Sequence, residues 1–206
     1  MSHTQRLRSV PLASALGTQH PYPEAGDRPI VYVTFGTVFN EAGPPRHVVE
    51  RVRDLDVFVV VTVGPDGDPA VLGPQPANVH VAPFIPQDDL LPHCAAVVSL
   101  AGSGTFLGAA AHGLPQVCVP QGADQFLNAD ACARAGAGLS VDGDPASVRD
   151  ALRRVLTEPG FSAAARVVQA ELAAMPRPDE VAALLVERYG RRRPENAIAP
   201  RSLTRA

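Results

Sequence analysis

Short apolar runs alternate with segments of helical spacing along most of the chain. Residues 30–35 form a β-branched, nearly continuous apolar run, and residues 57–63 repeat the pattern. Runs of this kind are typical of parallel strands that are buried on both faces. Further strands are predicted at 79–81, 95–99, 116–119 and 139–141. Helices are predicted at 44–53, 105–112, 128–135, 146–156, 162–175 and 179–189, with a helical turn at 87–91.

Strands that alternate with helices predict an α/β fold, a Rossmann-like doubly wound parallel sheet with right-handed crossovers. We expect this domain to cover residues 29–190. A polar, turn-rich lead-in precedes it at 1–28, and an arginine-rich tail follows at 191–206, where too few apolar groups are present to offset the entropy of ordering. In such sheets ligands bind outside the carboxyl ends of the strands. Candidate chemistry is therefore expected in the loops after Phe35, Val81, Ser99 and Val119.

The composition excludes several classes of protein. The chain has 206 residues, of which 46% are hydrophobic, and a formal net charge of −3. No apolar run approaches the roughly 20 residues of a membrane-spanning helix, and no basic stretch before residue 190 could follow the phosphates of a nucleic acid. Three cysteines without metal-ligand spacing predict neither a disulfide framework nor a zinc site, so a cytoplasmic protein is expected.

The loop after Ser99 carries the clearest chemical signal. Gly102-Ser103-Gly104-Thr105 joins a strand to a helix, so a ligand could approach the N–H groups that are unpaired at a helix start. These groups and the helix dipole favour an anion, most naturally a phosphate. Thr105 could cap the helix or donate its hydroxyl to a phosphate oxygen. A plain tight turn explains the same residues equally well, since glycine-rich strand–helix turns are common.

Other loops offer polar or aromatic side chains. Asp124 and Gln125, after the strand at 116–119, place an acid beside an amide, which suits a polyhydroxylated ligand such as a sugar. A simple Asp helix cap is the alternative and, on these residues alone, the plainer interpretation. Phe84 could present a face to a nucleobase, although an isolated Phe is usually a core residue. Gly36 and Thr37, after the first strand, could reach the same crevice.

In their order along the chain, these motifs resemble the C-terminal domain of GT-B glycosyltransferases, the group of UDP-glucuronosyltransferases, plant flavonoid glucosyltransferases and bacterial macrolide glycosyltransferases. The resemblance covers about residues 28–190. It rests on four motifs at four strand ends: VYVTFGT at 31–37, FIPQ at 84–87, GSGT at 102–105 and PQGADQF at 120–126. It implies one half of a GT-B fold that transfers a hexose from a dTDP- or UDP-sugar to an acceptor hydroxyl of a small natural product, without a metal ion or cofactor.

The resemblance also implies a role for each motif. FIPQ would lie at the nucleobase and GSGT would hold the diphosphate. The Asp-Gln pair would bind sugar hydroxyls, and the Gly-Thr pair after the first strand would approach the phosphates. The implied donor-binding residues are Gly36, Thr37, Phe84, Gln87, Gly102, Ser103, Gly104, Thr105, Asp124 and Gln125.

Three departures from the family pattern stand out. Leu100 replaces a histidine that donates to the diphosphate, and because a hydrogen bond to a charged group is worth roughly 1.5–3 kcal/mol, weaker donor binding is expected. Gly108 replaces a glutamate that grips the ribose in UDP-using members, which fits a deoxyribose donor such as a dTDP-sugar. The resemblance does not extend to the acceptor-binding domain, which supplies the catalytic base in this family, and none of the six histidines is placed to substitute. A catalytic residue is therefore assigned nowhere in the chain, and an acceptor-binding partner domain, in the same chain or in trans, is expected.

Two other functions compete with a transferase half. The chain could be a non-catalytic nucleotide-sugar-binding module, with Leu100 marking relaxed function. It could also be an NAD(P)-dependent oxidoreductase, because Gly102, Gly104 and Gly108 have a related glycine spacing and Asp124 follows at about the distance of a ribose-binding acid. Against the oxidoreductase, the glycine loop follows an inner strand, and no Ser/Tyr/Lys set comes after it.

Overall fold

Six parallel strands form one sheet in the part of the chain that the structure describes, residues 6–8, 22–35 and 46–190 of a computed structural model. The strands are β1 (Ile30–Thr34), β2 (Phe58–Thr62), β3 (Val79–Ala82), β4 (Cys94–Ser99), β5 (Gln116–Cys118) and β6 (Gly138–Ser140). They lie in the order β3-β2-β1-β4-β5-β6, and each neighbouring pair is parallel. The predicted Rossmann-like α/β fold is thereby confirmed.

Helices connect these strands and cover both faces of the sheet. Within the described residues they are α1 (Arg46–Val52), α2 (Gln87–Leu90), α3 (Ser103–Ala111), α4 (Gln125–Arg134), α5 (Pro145–Thr157), α6 (Pro159–Ala173) and α7 (Pro178–Tyr189). A search of the described helices finds none with the length and apolar character to cross a membrane.

Every predicted strand and helix has a counterpart, and the main differences are at helix starts. α3 begins at Ser103 rather than at 105, α4 at Gln125 rather than at 128, and α6 at Pro159 rather than at 162. Gly104 and Gly160 lie in the first turns of α3 and α6 and mask the helical signal in the sequence there. At α6, proline supplies the pre-set φ that suits a first helical position.

The alternation of side chains along the strands divides the core into two layers. Val31 and Val33 of β1 face the layer that includes α1 and α5, whereas Ile30 and Tyr32 face the layer that includes α2 and α3. A third group, called here the small-residue cluster, lies where β5 packs on α4 and α6. Its members are Ala101, Cys118, Ala129, Cys132, Ala137 and Ala165.

Part of the expected lead-in belongs to the core. Tyr22 and Ala25 are buried, and the Tyr22 ring lies against Phe58 and His80 with centroid distances of 5.7 and 5.1 Å. The polar, proline-rich sequence gives no signal for this contact, because Phe58 and His80 are distant from Tyr22 along the chain. Residues 1–5 and 9–21 of the lead-in and the tail at 191–206 lie outside the described residues.

Small polar side chains line the last register row of the sheet. Thr62, Thr34, Ser99, Cys118 and Ser140 are successive partners across β2, β1, β4, β5 and β6. The Thr62 hydroxyl donates to that of Thr34 at 3.0 Å, and the Tyr32 hydroxyl lies 2.9 Å from Thr62 Oγ1. The carboxyl edge of the sheet is therefore polar below the loops that could carry a ligand.

Candidate functional site

The strand order places the glycine-rich loop at the point where the sheet changes direction. From β1 the chain proceeds outward through β2 and β3, and then returns to the other side of β1 with β4. Ligands of open parallel sheets bind at such a switch point, outside the carboxyl ends of the strands. The loop between β4 and α3 begins there.

The first turn of α3 is open. Gly102 precedes the helix with φ −61° and ψ 143°, and no side chain caps the helix start. A Cβ atom added at Gly102 or at Gly104 would meet no atom within 4 Å. The backbone at Gly102 and Gly104 is therefore accessible, and the positive end of the helix dipole lies at the same turn, which is an arrangement that suits an anion.

A carboxylate from the next loop reaches this helix start. Oδ2 of Asp124 accepts a hydrogen bond from the Ser103 hydroxyl at 2.5 Å and another from Asn128 Nδ2 at 3.1 Å. The Ser103 hydroxyl is the largest cause that lowers the pKa of Asp124, so the carboxyl group is charged at neutral pH. Asp124 stands at the N-cap position of α4 but makes no capping bond with its side chain. The carboxylate of Asp124 therefore links two loops instead of capping its helix.

Gln125 is turned inward. Its side chain is only 4% exposed, and Oε1 accepts hydrogen bonds from the backbone N–H groups of Gln121 at 2.8 Å and Gly122 at 3.0 Å. A Cβ atom at Gly122 would meet nothing within 4 Å. Gln125 thus shapes the loop between β5 and α4, and Asp124 is the exposed member of the pair.

The loop between β3 and α2 adds an aromatic face and an amide. The Phe84 side chain is 58% exposed, so this Phe is not a core residue. Gln87 Nε2 donates to Thr105 Oγ1 at 2.8 Å, which joins the start of α2 to the first turn of α3. Gly108 lies one turn further along α3, and a Cβ atom there would be 3.3 Å from Gln87 Oε1.

The structure therefore brings most of the implied donor-binding residues to one edge of the sheet. Two pairs are in direct contact, Gln87 with Thr105 and Ser103 with Asp124. Gly36 and Thr37 lie outside the described residues, so their placement stays a prediction.

Leu100 does not line the open face of the loop. Its side chain is 4% exposed and belongs to the core cluster that contains Val98 and Val119. The anion-binding character of the loop therefore depends on backbone N–H groups and hydroxyls. A histidine introduced at this position would be placed in a buried, apolar environment.

Sequence reasoning missed the residues that hold the two loops in shape. Ala101 and Ala123 have left-handed φ values of 60° and 52°, which cost energy in any residue other than glycine. The Ala101 N–H donates to Ser99 Oγ at 3.1 Å, and its carbonyl accepts from Asn128 Nδ2 at 2.9 Å. The spacing of four residues between Asp124 and Asn128 could have indicated that their side chains meet on one helix face. The sequence instead suggested that the helix begins at Asn128. Nothing in the sequence marks the two alanines.

Among the side chains that the structure describes, histidines and metal-ligating groups do not gather at this edge. His93 and His112 lie at the opposite edge, before β4 and at the end of α3, and His80 packs on Tyr22. Across the described ranges, no group of three or more His, Cys, Asp or Glu side chains could hold a metal ion.

Comparison with known proteins identifies relatives that are about twice as long. The family described as the C-terminal domain of erythromycin biosynthesis protein CIII-like proteins matches residues 46–188. The elloramycin glycosyltransferase ElmGT of Streptomyces olivaceus is 39% identical over 166 residues, which are 79% of this chain and 42% of the relative.

Solved structures show the same likeness. The crystal structure of the glycosyltransferase SnogD from Streptomyces nogalater has a TM-score of 0.76 and 34% identity, with coverage of 91% of this chain and 51% of that one. The glycosyltransferase VinC, crystallised in complex with dTDP, has a TM-score of 0.75 and 33% identity, with coverage of 91% and 48%. The chain spans about half the length of the relatives that it matches.

Proposed function

Because the chain belongs to the family of the erythromycin biosynthesis protein CIII-like C-terminal domain, we propose that it is the donor-binding half of a glycosyltransferase. It binds a dTDP- or UDP-hexose, and the hexose passes to an acceptor hydroxyl of a small natural product. The names of the relatives support this class of reaction. Their greater length supports an acceptor-binding domain, in the same chain or in trans, as the partner.

The open first turn of α3 is the observation that carries the proposal. A diphosphate bears several negative charges, and it would receive hydrogen bonds from backbone N–H groups of this turn, whose N-cap residue, Gly102, carries no capping side chain. Thr105 lies on the same turn, and because its Oγ1 accepts from Gln87, its hydroxyl hydrogen can be donated to a phosphate oxygen, whereas the Ser103 hydroxyl donates to Asp124. The free space beside Gly102 and Gly104 allows the phosphates to approach the backbone closely.

The neighbouring loops suit the two ends of a nucleotide-sugar. The exposed ring of Phe84 offers a face on which a pyrimidine base can stack. The Asp124 carboxylate can accept hydrogen bonds from sugar hydroxyls. Gly108, next to Gln87, provides no carboxylate for a ribose 2′-hydroxyl, so the donor is a dTDP-sugar in preference to a UDP-sugar. The complex of VinC with dTDP supports the same choice.

The catalytic base comes from the partner domain. The three histidines whose side chains the structure describes lie away from the carboxyl edge, and the one carboxylate in the site, Asp124, is held by Ser103 and Asn128. This half therefore binds and orients the donor. The partner half positions the acceptor and removes the proton of its hydroxyl.

Titration calorimetry with dTDP, UDP and pyrophosphate tests the donor assignment. We expect saturable binding of dTDP, weaker binding of UDP, and weaker binding still of pyrophosphate, which lacks the base. If dTDP and UDP both fail to bind above the buffer background, the proposal is wrong. If UDP binds as tightly as dTDP, the donor preference drawn from Gly108 is wrong, while the binding of a nucleotide-sugar stands.

A non-catalytic nucleotide-sugar-binding module is the second candidate. Leu100 stands where the family pattern has a histidine that donates to the diphosphate, and its side chain is buried in the core, so the diphosphate loses that contact. This loss favours the module. The two candidates differ in the partner domain. Co-expression with an acceptor-binding half of a relative, followed by measurement of dTDP release from a dTDP-hexose, separates them. Release that depends on the acceptor supports the transferase half, and binding without release supports the module.

A further inference from the structure

Asn128, in the first turn of α4, bonds to both loops of the site. Its Nδ2 atom lies 2.9 Å from the Ala101 carbonyl oxygen, 3.1 Å from Asp124 Oδ2 and 3.4 Å from Ser103 Oγ. Ala101 belongs to the loop between β4 and α3, and Asp124 to the loop between β5 and α4. One nitrogen atom therefore bridges the two loops.

The number of hydrogens on Asn128 Nδ2 shows which of the three contacts are full hydrogen bonds. A carboxamide nitrogen carries two hydrogens, so it can serve two acceptors fully. The two shortest distances assign these hydrogens to Ala101 O and Asp124 Oδ2. The Ser103 hydroxyl already gives its own hydrogen to Asp124. A neutral amide with two donors on one nitrogen thus meets a carbonyl and a carboxylate at once, which an Asp or a Leu of similar size cannot do.

The bond to Ala101 also orients the first N–H of the open turn. Because a trans peptide unit is planar, the Gly102 N–H points opposite to the Ala101 carbonyl. Ala101 is held at a φ of 60°, which is unfavourable for an alanine, and the bonds from Asn128 and to Ser99 Oγ oppose its relaxation. Asn128 therefore fixes the direction in which the Gly102 N–H is presented.

We propose that Asn128 is a positioning residue of the donor site: it sets the Gly102 N–H toward the diphosphate and the Asp124 carboxylate toward the sugar, without touching the donor itself. The inference rests on the proposed function for its ligand. Its structural part, the coupling of the two loops, is independent of that function. Asn128 should therefore affect both the affinity for dTDP and the conformation of the free loop.

Substitution of Asn128 tests the affinity. Asn128→Ala removes both donated bonds, and we expect the dissociation constant of dTDP to rise about tenfold or more, since bonds that organise charged contacts are lost. Asn128→Asp places a second acceptor against Ala101 O and Asp124. Among the described residues that hydrogen-bond to Asn128, only Asp124 titrates. We therefore expect Asn128→Asp to bind dTDP worst at pH 8 and to recover in part toward pH 5, as a protonated carboxyl regains one donor.

Asn78 provides a matched control. Its Nδ2 also bridges two backbone carbonyls, those of Arg53 at 3.0 Å and Val57 at 3.2 Å, but between α1, β2 and the loop before β3. Asn78→Ala should lower the thermal unfolding midpoint as Asn128→Ala does and leave the affinity for dTDP unchanged. A merely structural role of Asn128 would make the two variants alike in both measurements.

The ligand-free protein separates the two proposals. In ¹⁵N-labelled protein without nucleotide, Asn128→Ala should shift the amide resonances of Gly102 and Ser103, whereas Asn78→Ala should not. If Asn128→Ala shifts these amide resonances but the protein does not bind dTDP, the coupling of the two loops is supported and only the proposed ligand is refuted. Unchanged resonances, or an unchanged dTDP affinity in a variant of a dTDP-binding protein, overturn the positioning role.

Discussion

Replacement of Gly104 by alanine should stabilise the fold and weaken donor binding at the same time. Gly104 is the second residue of α3, its φ is not left-handed, and an added Cβ would meet no atom within 4 Å. Alanine is favoured over glycine in a helix by about 0.5–1 kcal/mol. For a chain of this size we therefore expect the unfolding midpoint to rise by about 1–4 °C.

The same methyl group would occupy the space where the diphosphate is proposed to lie. If it displaces the phosphates from one N–H contact, the loss is roughly 1.5–3 kcal/mol, the value of a hydrogen bond to a charged group. This loss corresponds to an increase of about 10- to 150-fold in the dissociation constant of dTDP, because each 1.4 kcal/mol is a factor of ten. Stability and affinity thus change in opposite directions.

Gly160 is the control for this experiment. It is the second residue of α6, it is exposed, and an added Cβ would also meet nothing within 4 Å. Gly160→Ala should give the same stabilisation and no change in dTDP affinity. Thermal unfolding followed by circular dichroism and calorimetric titration measure the two quantities. If Gly104→Ala binds dTDP as tightly as the wild type, the proposed position of the diphosphate is wrong. If Gly104→Ala lowers the unfolding midpoint while Gly160→Ala raises it, the expected stabilisation by alanine is wrong.

Three further predictions concern the strain, the base and the helix caps. Ala101→Gly should destabilise the protein by about 1.5–3 kcal/mol less than Ala109→Gly in urea unfolding. Both remove a buried methyl, but only Ala101→Gly relieves a left-handed φ, worth about 1–2 kcal/mol, and only Ala109→Gly places a glycine inside a helix, at a cost of about 0.5–1 kcal/mol. A difference no larger than this helix cost would contradict strain at Ala101. Phe84→Ala should raise the dissociation constant of dTDP about fivefold or more, as stacking on a base is worth roughly 1–3 kcal/mol, and should leave that of pyrophosphate unchanged; a parallel loss for both ligands would count against stacking. The Ser147 N–H donates to the Asp144 carboxylate at the start of α5 and lowers the pKa of Asp144 in the folded protein. The carboxylate therefore stabilises the fold above the ordinary carboxyl pKa of about 3.9, and this stabilisation is lost as the pH falls through the lower pKa of the folded protein. The urea midpoint of Asp144→Ala should accordingly lie below that of the wild type at pH 7, and the difference should shrink as the pH falls below the ordinary carboxyl pKa; a difference that stays constant in acid would exclude the carboxylate as the cause.

The fold was predictable because its signals are local. The run of valines in β2 and the Asp144-Pro145 start of α5 specify strand and helix without reference to the rest of the chain. The sequence also indicated where to look for a site, since ligands of parallel sheets bind outside the carboxyl ends of the strands, and donor binding there stays a prediction. The burial of Tyr22 was not predictable, because it depends on Phe58 and His80, which are distant in the sequence.

The internal geometry of the site depends on contacts between loops, and it could not be derived from the sequence. The sequence left open whether Asp124 binds a sugar or caps its helix, and its hydrogen bond with Ser103 depends on the contact between the two loops. Gln125 was expected among the ligand-binding groups, but its Oε1 is engaged by the backbone of its own loop. The bridging role of Asn128 requires the carbonyl of a left-handed alanine that no propensity scale would select.

The small-residue cluster beneath the loops has a consequence for protein engineering. Its side chains are alanines and cysteines with almost no exposed surface, and next to it a Cβ atom at Gly138 would lie 2.1 Å from the Gln116 carbonyl oxygen. Larger residues there would push α4, and Asp124 with it, away from α3. Gly122 has room for a new side chain, whereas the free space beside Gly102 and Gly104 is the space proposed for the diphosphate. A library that aims to change the sugar preference of the proposed donor site should therefore diversify Gly122 and leave the two glycines and the small-residue cluster unchanged.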